Sequence, residues 1–374
     1  MKVPFINLSA TEKSINNIIK RKILQVIKRK DFILGKEVKQ FEENFSKYIG
    51  CKYTVGVASG SAALFLSLKA LDIKPGDYVV TTPFTFTATA ECIVHCNAKI
   101  VFADIDEKTY NISVEEIHKC VDKFKRKIKA IIPVHLYGLP CEMYKIMEIS
   151  REYDIKVIED AAQAHGAMYN FNGLKKIVGS IGDTGCFSFY PTKNLSCYGD
   201  GGAITTNEDE IYHKLLKLRN HGREKHYFYS QIGFNSRLDN LQAAILLVKL
   251  KYLDKWNKER QKIAKIYTEE LKGVGDIITP YISDNATHVF HLYVIRTKQR
   301  DKLMNYLLSK NIGCAIQYGV PLHLQPAYKG LYETANTLTT SERISNEVLS
   351  LPLYPGIKEL ELECVIDSIK KFFK

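Results

Sequence analysis

Apolar residues recur at helical spacing over residues 15–27 and again over 36–48 after a break at Gly35, so the chain is expected to open with two helices around the loop RKDFILG. From Thr54 the pattern changes. Short apolar runs, TVGVAS, YVVTTP, KIVFADI, KAIIPVHLYG and KVIEDA, alternate with helical stretches at 60–71 and 142–153. Two further strands are expected at 186–190 and 203–206, which are apolar, aromatic or β-branched and bounded by Gly, Pro and Asp. This alternation predicts a mainly parallel sheet with helices on both faces. Helical spacing then dominates at 208–218 and 238–271. The remainder mixes strand candidates, HVFHLYVIR and NIGCAIQYGV, with helices expected at 301–310, 341–349 and 361–373. The fold class is therefore α/β: a large domain over 1–250 and a smaller C-terminal α+β domain over 251–374, divided inside the long helix near residue 250.

A chain of 374 residues, 45% hydrophobic and 25% charged, can bury a large core and has the composition of a soluble enzyme. No apolar run is long enough to suggest a membrane span, and the opening MKVPFINLSATEKS lacks a basic-then-apolar signal pattern, so a cytoplasmic location is expected. Nine cysteines scattered without a CxxC pair suit reduced thiols, with no structural metal. The net charge of +12 is spread along the chain, with modest lysine clusters at 20–30 and 119–129 on solvated helix faces. No nucleic-acid motif accompanies it, and the excess positive charge is compatible with a phosphorylated cofactor and a diphosphate substrate.

The candidate chemistry gathers around Lys193, in a loop between the two strands expected at 186–190 and 203–206. Pro191 and the glycines at 199, 201 and 202 supply the backbone geometry of a tight loop. Upstream, KVIEDAAQAHGA ends an apolar run in Asp160 and then Gln163. A lysine that can bond an aldehyde and a carboxylate that can hold a pyridinium nitrogen are the minimum kit for pyridoxal phosphate, PLP. In open α/β sheets ligands lie beyond the carboxyl ends of the strands. There VAS leads into Ser59, Gly60 and Ser61 at a helix start suited to a phosphate, TTP into Phe86, and CFSFY carries Ser188 and Tyr190 toward Lys193. Taken singly, each also suits a helix cap, a core aromatic or a surface turn.

Together, VASGSAALFLSL, PFTFTATAECI, VIEDAAQAHGA, FSFYPTKNL with GDGGA, and GFNSRLDNLQAAIL resemble the DegT/DnrJ/EryC1/StrS family of PLP-dependent nucleotide-sugar aminotransferases, of aminotransferase fold type I, over about residues 31–355. The resemblance implies a homodimer with shared active sites, L-glutamate as amino donor and a nucleotide-linked keto sugar as acceptor. It matches Lys193 to the lysine that carries the cofactor, Asp160 to the partner of the ring nitrogen and Gln163 to the residue at the phenolic oxygen. Phe86 matches the stacking aromatic, and Gly60, Ser61 and Ser188 the phosphate cradle. Asn235 matches a phosphate contact from the other subunit, with Arg237 beside it. One departure is Ser196-Cys197, where relatives often have Gly-Ala, and it bears on local packing.

His165, together with PLHLQPAY at 321–328, resembles members that aminate C3 of dTDP-linked 3-keto-6-deoxyhexoses, giving a 3-amino-3,6-dideoxyhexose for surface polysaccharide or glycoside synthesis. Amination at C4 is the alternative. Tyr190, Tyr318, His323, His165 and Arg237 are the candidates for substrate contacts; the Tyr and His residues are equally core residues by position, and Arg237 equally a structural ion pair. Two rivals remain: a keto-sugar C3-dehydratase, associated with a histidine where this chain has Lys193, and a non-catalytic regulator or nucleic-acid binder that kept the scaffold.

Overall fold

The computed structural model describes residues 1–374. Its centre is an eight-stranded sheet in the spatial order Tyr53–Val57, Gly202–Thr206, Thr184–Ser188, Lys156–Asp160, Ile128–Ile131, Tyr78–Thr81, Lys99–Phe102, Tyr332–Thr334. The strands from Thr184–Ser188 onward in that order all pair in parallel, and the Val- and Ile-rich runs among them, Lys156–Asp160, Ile128–Ile131, Tyr78–Thr81 and Lys99–Phe102, are largely buried on both faces, as a parallel sheet covered by helices requires. Gly202–Thr206 is antiparallel to both of its neighbours. That single reversal positions the site. The chain leaves the sheet at Ser188 and returns at Gly202, so the 189–201 loop with Lys193 stands at the carboxyl edge of the parallel strands, beside Asp160 at the end of its own.

Helices Asn16–Arg29, Lys36–Ile49, Gly60–Ala70, Met143–Tyr153 and Asp209–Leu218 form where the periodicity places them. The stretch 238–271 instead forms two helices, Asn240–Lys249 and Leu253–Leu271, joined by the 3-10 turn Leu250–Tyr252. The strand expected at NIGCAIQYGV is absent. Gly313 there approaches the Phe5 backbone nitrogen so closely that a Cβ would lie 2.5 Å from it, and only isolated bridges form, Val3 to Ile312 and Ala315 to Ser350. The helix expected over 341–349 ends at Ser345, and Val348–Leu351, buried at every position, becomes a strand antiparallel to Tyr293–Arg296. The lysine cluster expected on a helix face at 119–129 falls partly on the helix Val114–Phe124, which ends before the strand Ile128–Ile131, whereas the helix Ala88–His95 and the hairpin Met168–Phe171 with Leu174–Ile177 are additional elements.

Two apolar cores cover the faces of the large sheet, and a third is built mainly from residues after 260. Val3 belongs to that third core, and Tyr332–Thr334 joins the edge of the large sheet, so the chain crosses between the two parts more than once. We propose the turn at Leu250–Tyr252 as the boundary. No helix is long and apolar enough to cross a membrane.

The loop with Lys193 rests on an aromatic cluster. Phe45 meets Phe187 and Phe189 edge-on at centroid distances of 5.0 and 5.6 Å, and Phe41 meets Phe189 at 5.3 Å. Such geometry suits the ring quadrupoles as well as burying area. Phe45→Ala should lower unfolding stability by about 3–5 kcal/mol, measured by urea denaturation. An unchanged midpoint and slope would show that the cluster does not hold the loop.

Candidate active site

The carboxyl ends of the strands open into a cavity of 570 Å³ whose lining includes Gly60, Ser61, Phe86, Asp160, Gln163, Ser188, Tyr190, Lys193 and Tyr318. Lys193 comes from a compact loop: its backbone N–H donates to Tyr190 at 2.9 Å, and Cys197 N donates to Phe189 O at 2.8 Å. Next in the chain, Asn194 donates from Nδ2 to Asn257 Oδ1 and Val289 O, pinning the loop to the Leu253–Leu271 helix and the segment before His291. The Lys193 amine has no carboxylate within ion-pair distance. Desolvation lowers its pKa to about 8, with the charge of Asp160 pulling the other way.

Asp160 is only 5% exposed. Its carboxylate accepts from Thr89 Oγ1 at 2.9 Å and from the Ala162 N–H at 3.2 Å, and Thr89 in turn meets Thr85 at 3.2 Å. Burial pushes the carboxyl up, while Thr89, Ala162 and the Lys193 charge favour the ionised form. Gln163 is fixed at both ends, accepting from the Tyr137 N–H at 2.7 Å and donating to Tyr318 Oη at 3.1 Å.

Across the cavity, Ser59 caps the Gly60–Ala70 helix by accepting from Ala62 N at 3.1 Å. A Cβ on Gly60 would lie 2.6 Å from Ser188 Cβ, and one on Gly202 would lie 2.3 Å from Ser59 O. Glycine at both positions therefore lets the helix start press against the strand end, so that first-turn backbone and the Ser188 side chain line one cradle. Phe86 and Tyr190 line the cavity while about half exposed, and Phe86 leans on Tyr318 at 6.4 Å. An amine, a buried hydrogen-bonded carboxylate, an amide, an anion cradle and an uncovered aromatic face are the donor set that a phosphorylated pyridine aldehyde requires, and PLP fits them.

Four expected residues lie elsewhere. Asn235 and Arg237 line a separate cleft of 390 Å³ that shares only Asp200 with the cavity, because Asn235 bridges to Asn220 and Arg237 Nη1 donates to Asn220 Oδ1 at 3.1 Å. His165 is no substrate contact within this chain. It is fully buried against Phe187 and Phe189, neither ring nitrogen has a partner, and burial with the Lys193 charge lowers its pKa to about 3. His323 is also turned away from the cavity: its Nε2 pairs with Glu342 at 3.0 Å while the ring packs on Phe102 and Tyr332, tying down the sheet edge.

The cavity includes residues not foreseen, among them Thr89, His291, Gln317 and the N-terminal pair Phe5 and Ile6. Thr89 sits in the first turn of the Ala88–His95 helix just after Phe86, and that nearness in the chain was the signal for it. Nothing local marked Phe5 and Ile6.

The description DegT/DnrJ/EryC1/StrS aminotransferase family matches residues 13–370. The chain is 43% identical to a pleiotropic regulatory protein of Geobacillus stearothermophilus, over 100% of this chain and 99% of that protein. It is 42% identical to the dTDP-3-amino-3,6-dideoxy-alpha-D-galactopyranose transaminase of Aneurinibacillus thermoaerophilus, over 99% of both. The crystal structure of a DegT DnrJ EryC1 StrS aminotransferase from Brucella abortus superposes with a TM-score of 0.95 at 36% identity, covering 99% of both chains.

In cofactor-free protein, Lys193 should titrate near pH 8, against about 10.4 for exposed lysines. Reductive methylation with ¹³C-formaldehyde followed by NMR titration reads this directly. A Lys193 midpoint among the exposed lysines would contradict the desolvated site.

Proposed function

The chain belongs to the DegT/DnrJ/EryC1/StrS aminotransferase family of PLP-dependent sugar aminotransferases, and we propose that it transfers the amino group of L-glutamate to C3 of a dTDP-linked 3-keto-6-deoxyhexose, giving a 3-amino-3,6-dideoxyhexose. The observation that carries this is the meeting of Lys193, Asp160, Gln163 and the Gly60, Ser61 and Ser188 cradle in one cavity. The choice of C3 and dTDP is supported by the name of the 42% identical transaminase.

Bound PLP supplies an electron sink through which nitrogen can leave one carbon and join another. Lys193 is the residue that carries its aldehyde. When released, the same amine moves a proton at the donor's Cα and later at the sugar carbon, and an amine with a pKa near 8 has a usable neutral fraction at cellular pH. Asp160 would keep the ring nitrogen protonated only while it is itself ionised; burial pushes its carboxyl up, and Thr89 and the Ala162 N–H offset part of that rise. Gln163 would face the phenolic oxygen, Gly60, Ser61 and Ser188 would hold the phosphate at a helix N-terminus, and Phe86 would cover the ring. Tyr190 and Tyr318 are left to contact sugar or diphosphate.

Asn235 and Arg237 fit this scheme in a homodimer, where one subunit's cleft meets the other's cavity. Exposed apolar side chains support it: Leu24, Ile27, Phe32, Ile33 and Leu34 lie along one stretch, with Ile33 lining that cleft. The segment with Tyr227 and Ile232, 79% and 88% exposed, is likewise uncovered. Free thiols at all nine cysteines suit a reducing cytoplasm.

A second reading, a regulator, is favoured by the name of the 43% identical relative; against it stands the complete set of chemical groups in the cavity. Incubation with glutamate and a panel of dTDP- and UDP-linked 3-keto and 4-keto sugars, with product structure solved by mass spectrometry and NMR, separates these. A 3-amino product is expected, a 4-amino product would move the reaction to C4, and no amino sugar together with a salt-dependent DNA shift would favour the regulator. Asp160→Ala should cut turnover by about 100-fold or more and Thr89→Val by about 10-fold, both read as kcat. Wild-type kcat in Asp160→Ala would contradict its role at the ring.

A further inference from the structure

His291 stands in the cavity wall with no role so far. Its tautomer can be worked out from its neighbours. Asn194 Nδ2 donates to Asn257 Oδ1 at 2.9 Å and to Val289 O at 3.1 Å, which fixes the amide so that Oδ1 is the atom left to accept. That oxygen lies 3.3 Å from His291 Nδ1, so Nδ1 carries the hydrogen and, in the neutral ring, Nε2 carries a lone pair. The ring is held neutral. Burial, then the charges of Lys193 and Arg260, push its pKa well below the ordinary histidine value. Arg260 also anchors the backbone, donating from Nη1 to the His291 carbonyl at 3.3 Å.

Nε2 has no partner in the chain, yet it is not sealed away as both nitrogens of the neighbouring His165 are. His291 lines the same cavity as Lys193, so a lone pair on Nε2 is unclaimed within the chain at the wall of that cavity. We propose that His291 is a positioning residue, whose Nε2 accepts an N–H from the released Lys193 amine and so aims the amine's lone pair at the carbon where the proton moves. This rests on the aminotransferase role proposed for Lys193. No proton passes to His291: the amine takes a proton from carbon, becomes an ammonium, returns the proton, and keeps the same N–H bonded to Nε2 throughout. Free rotation about the lysine's terminal bond would otherwise leave the lone pair unaimed, and loss of alignment at a reacting centre can cost on the order of 100-fold.

The test compares His291→Leu, which keeps bulk and removes the acceptor, with His291→Gln, which restores an acceptor oxygen. In the holoenzyme, His291→Leu should keep the cofactor absorbance and the sugar KM, and lose about 10- to 100-fold in kcat with a displaced alkaline or acid limb in the pH profile. His291→Gln should recover most of that loss. Equal losses in both variants, or a His291→Leu kcat within about twofold of wild type, overturn the proposal. A second measurement is independent of turnover: ¹⁵N NMR of histidine-labelled protein should show His291 protonated on Nδ1 alone from pH 6 to 9, on the order of the range set by ordinary histidine titration. A proton on Nε2 overturns the proposal whether or not the enzyme is active. A wild type that transaminates no sugar in the panel would instead sink the functional reading on which it rests.

Discussion

An amine can exchange protons near neutral pH only if water is kept from stabilising its charged form, and the fold around Lys193 is arranged to do this. Desolvation takes its pKa to about 8 without any carboxylate in direct contact. A salt bridge to Asp160 would have reversed the effect, holding the lysine as an ammonium and occupying the carboxylate. The structure keeps the two apart in one cavity and ties Asp160 instead to Thr89 and the Ala162 N–H. Each group is thereby left available to a bound ring.

This separation is a consequence of strand direction. Asp160 ends a parallel strand, and Lys193 sits on the loop that turns the chain back into the antiparallel strand Gly202–Thr206. The two rise from adjacent strands, paired through Asp160 and Cys186, toward the same edge of the sheet. The helix start at Gly60 and Ser61 closes the third side, pressed in by the absence of side chains at Gly60 and Gly202. Below the loop, Phe41, Phe45, Phe187 and Phe189 supply rigid apolar support and exclude solvent from beneath.

Much of this was legible in the sequence, for a physical reason. Parallel strands buried on both faces are written as continuous apolar runs, and the residues that follow them must lie at the carboxyl edge, so Gly60, Phe86, Asp160, Ser188 and Lys193 could be brought together from one-dimensional text. What failed depends on distance contacts. His165 follows the same strand as Asp160 but its side chain turns into the core, a choice made by Phe187 and Phe189. His323 is taken by Glu342, and NIGCAIQYGV makes only isolated bridges, to Val3 and Ser350, with the N-terminal segment lying against Gly313. The helix expected over 341–349 takes in Val348 and Leu349, because an apolar run as short as Val348–Leu351 carries no decisive period, and its pairing with Tyr293–Arg296 makes it a strand. Phe5 and Ile6 reach the cavity through tertiary folding alone.

The central claim is that Lys193, out of all the lysines in a chain with 53 Lys and Arg residues, is the one that bonds the cofactor. Borohydride reduction of the PLP-loaded protein, followed by proteolysis and mass spectrometry of the phosphopyridoxyl-labelled peptides, tests it most directly. A stoichiometric label on Lys193 is expected. A label confined to other lysines, or none on a protein that still binds PLP, would contradict it.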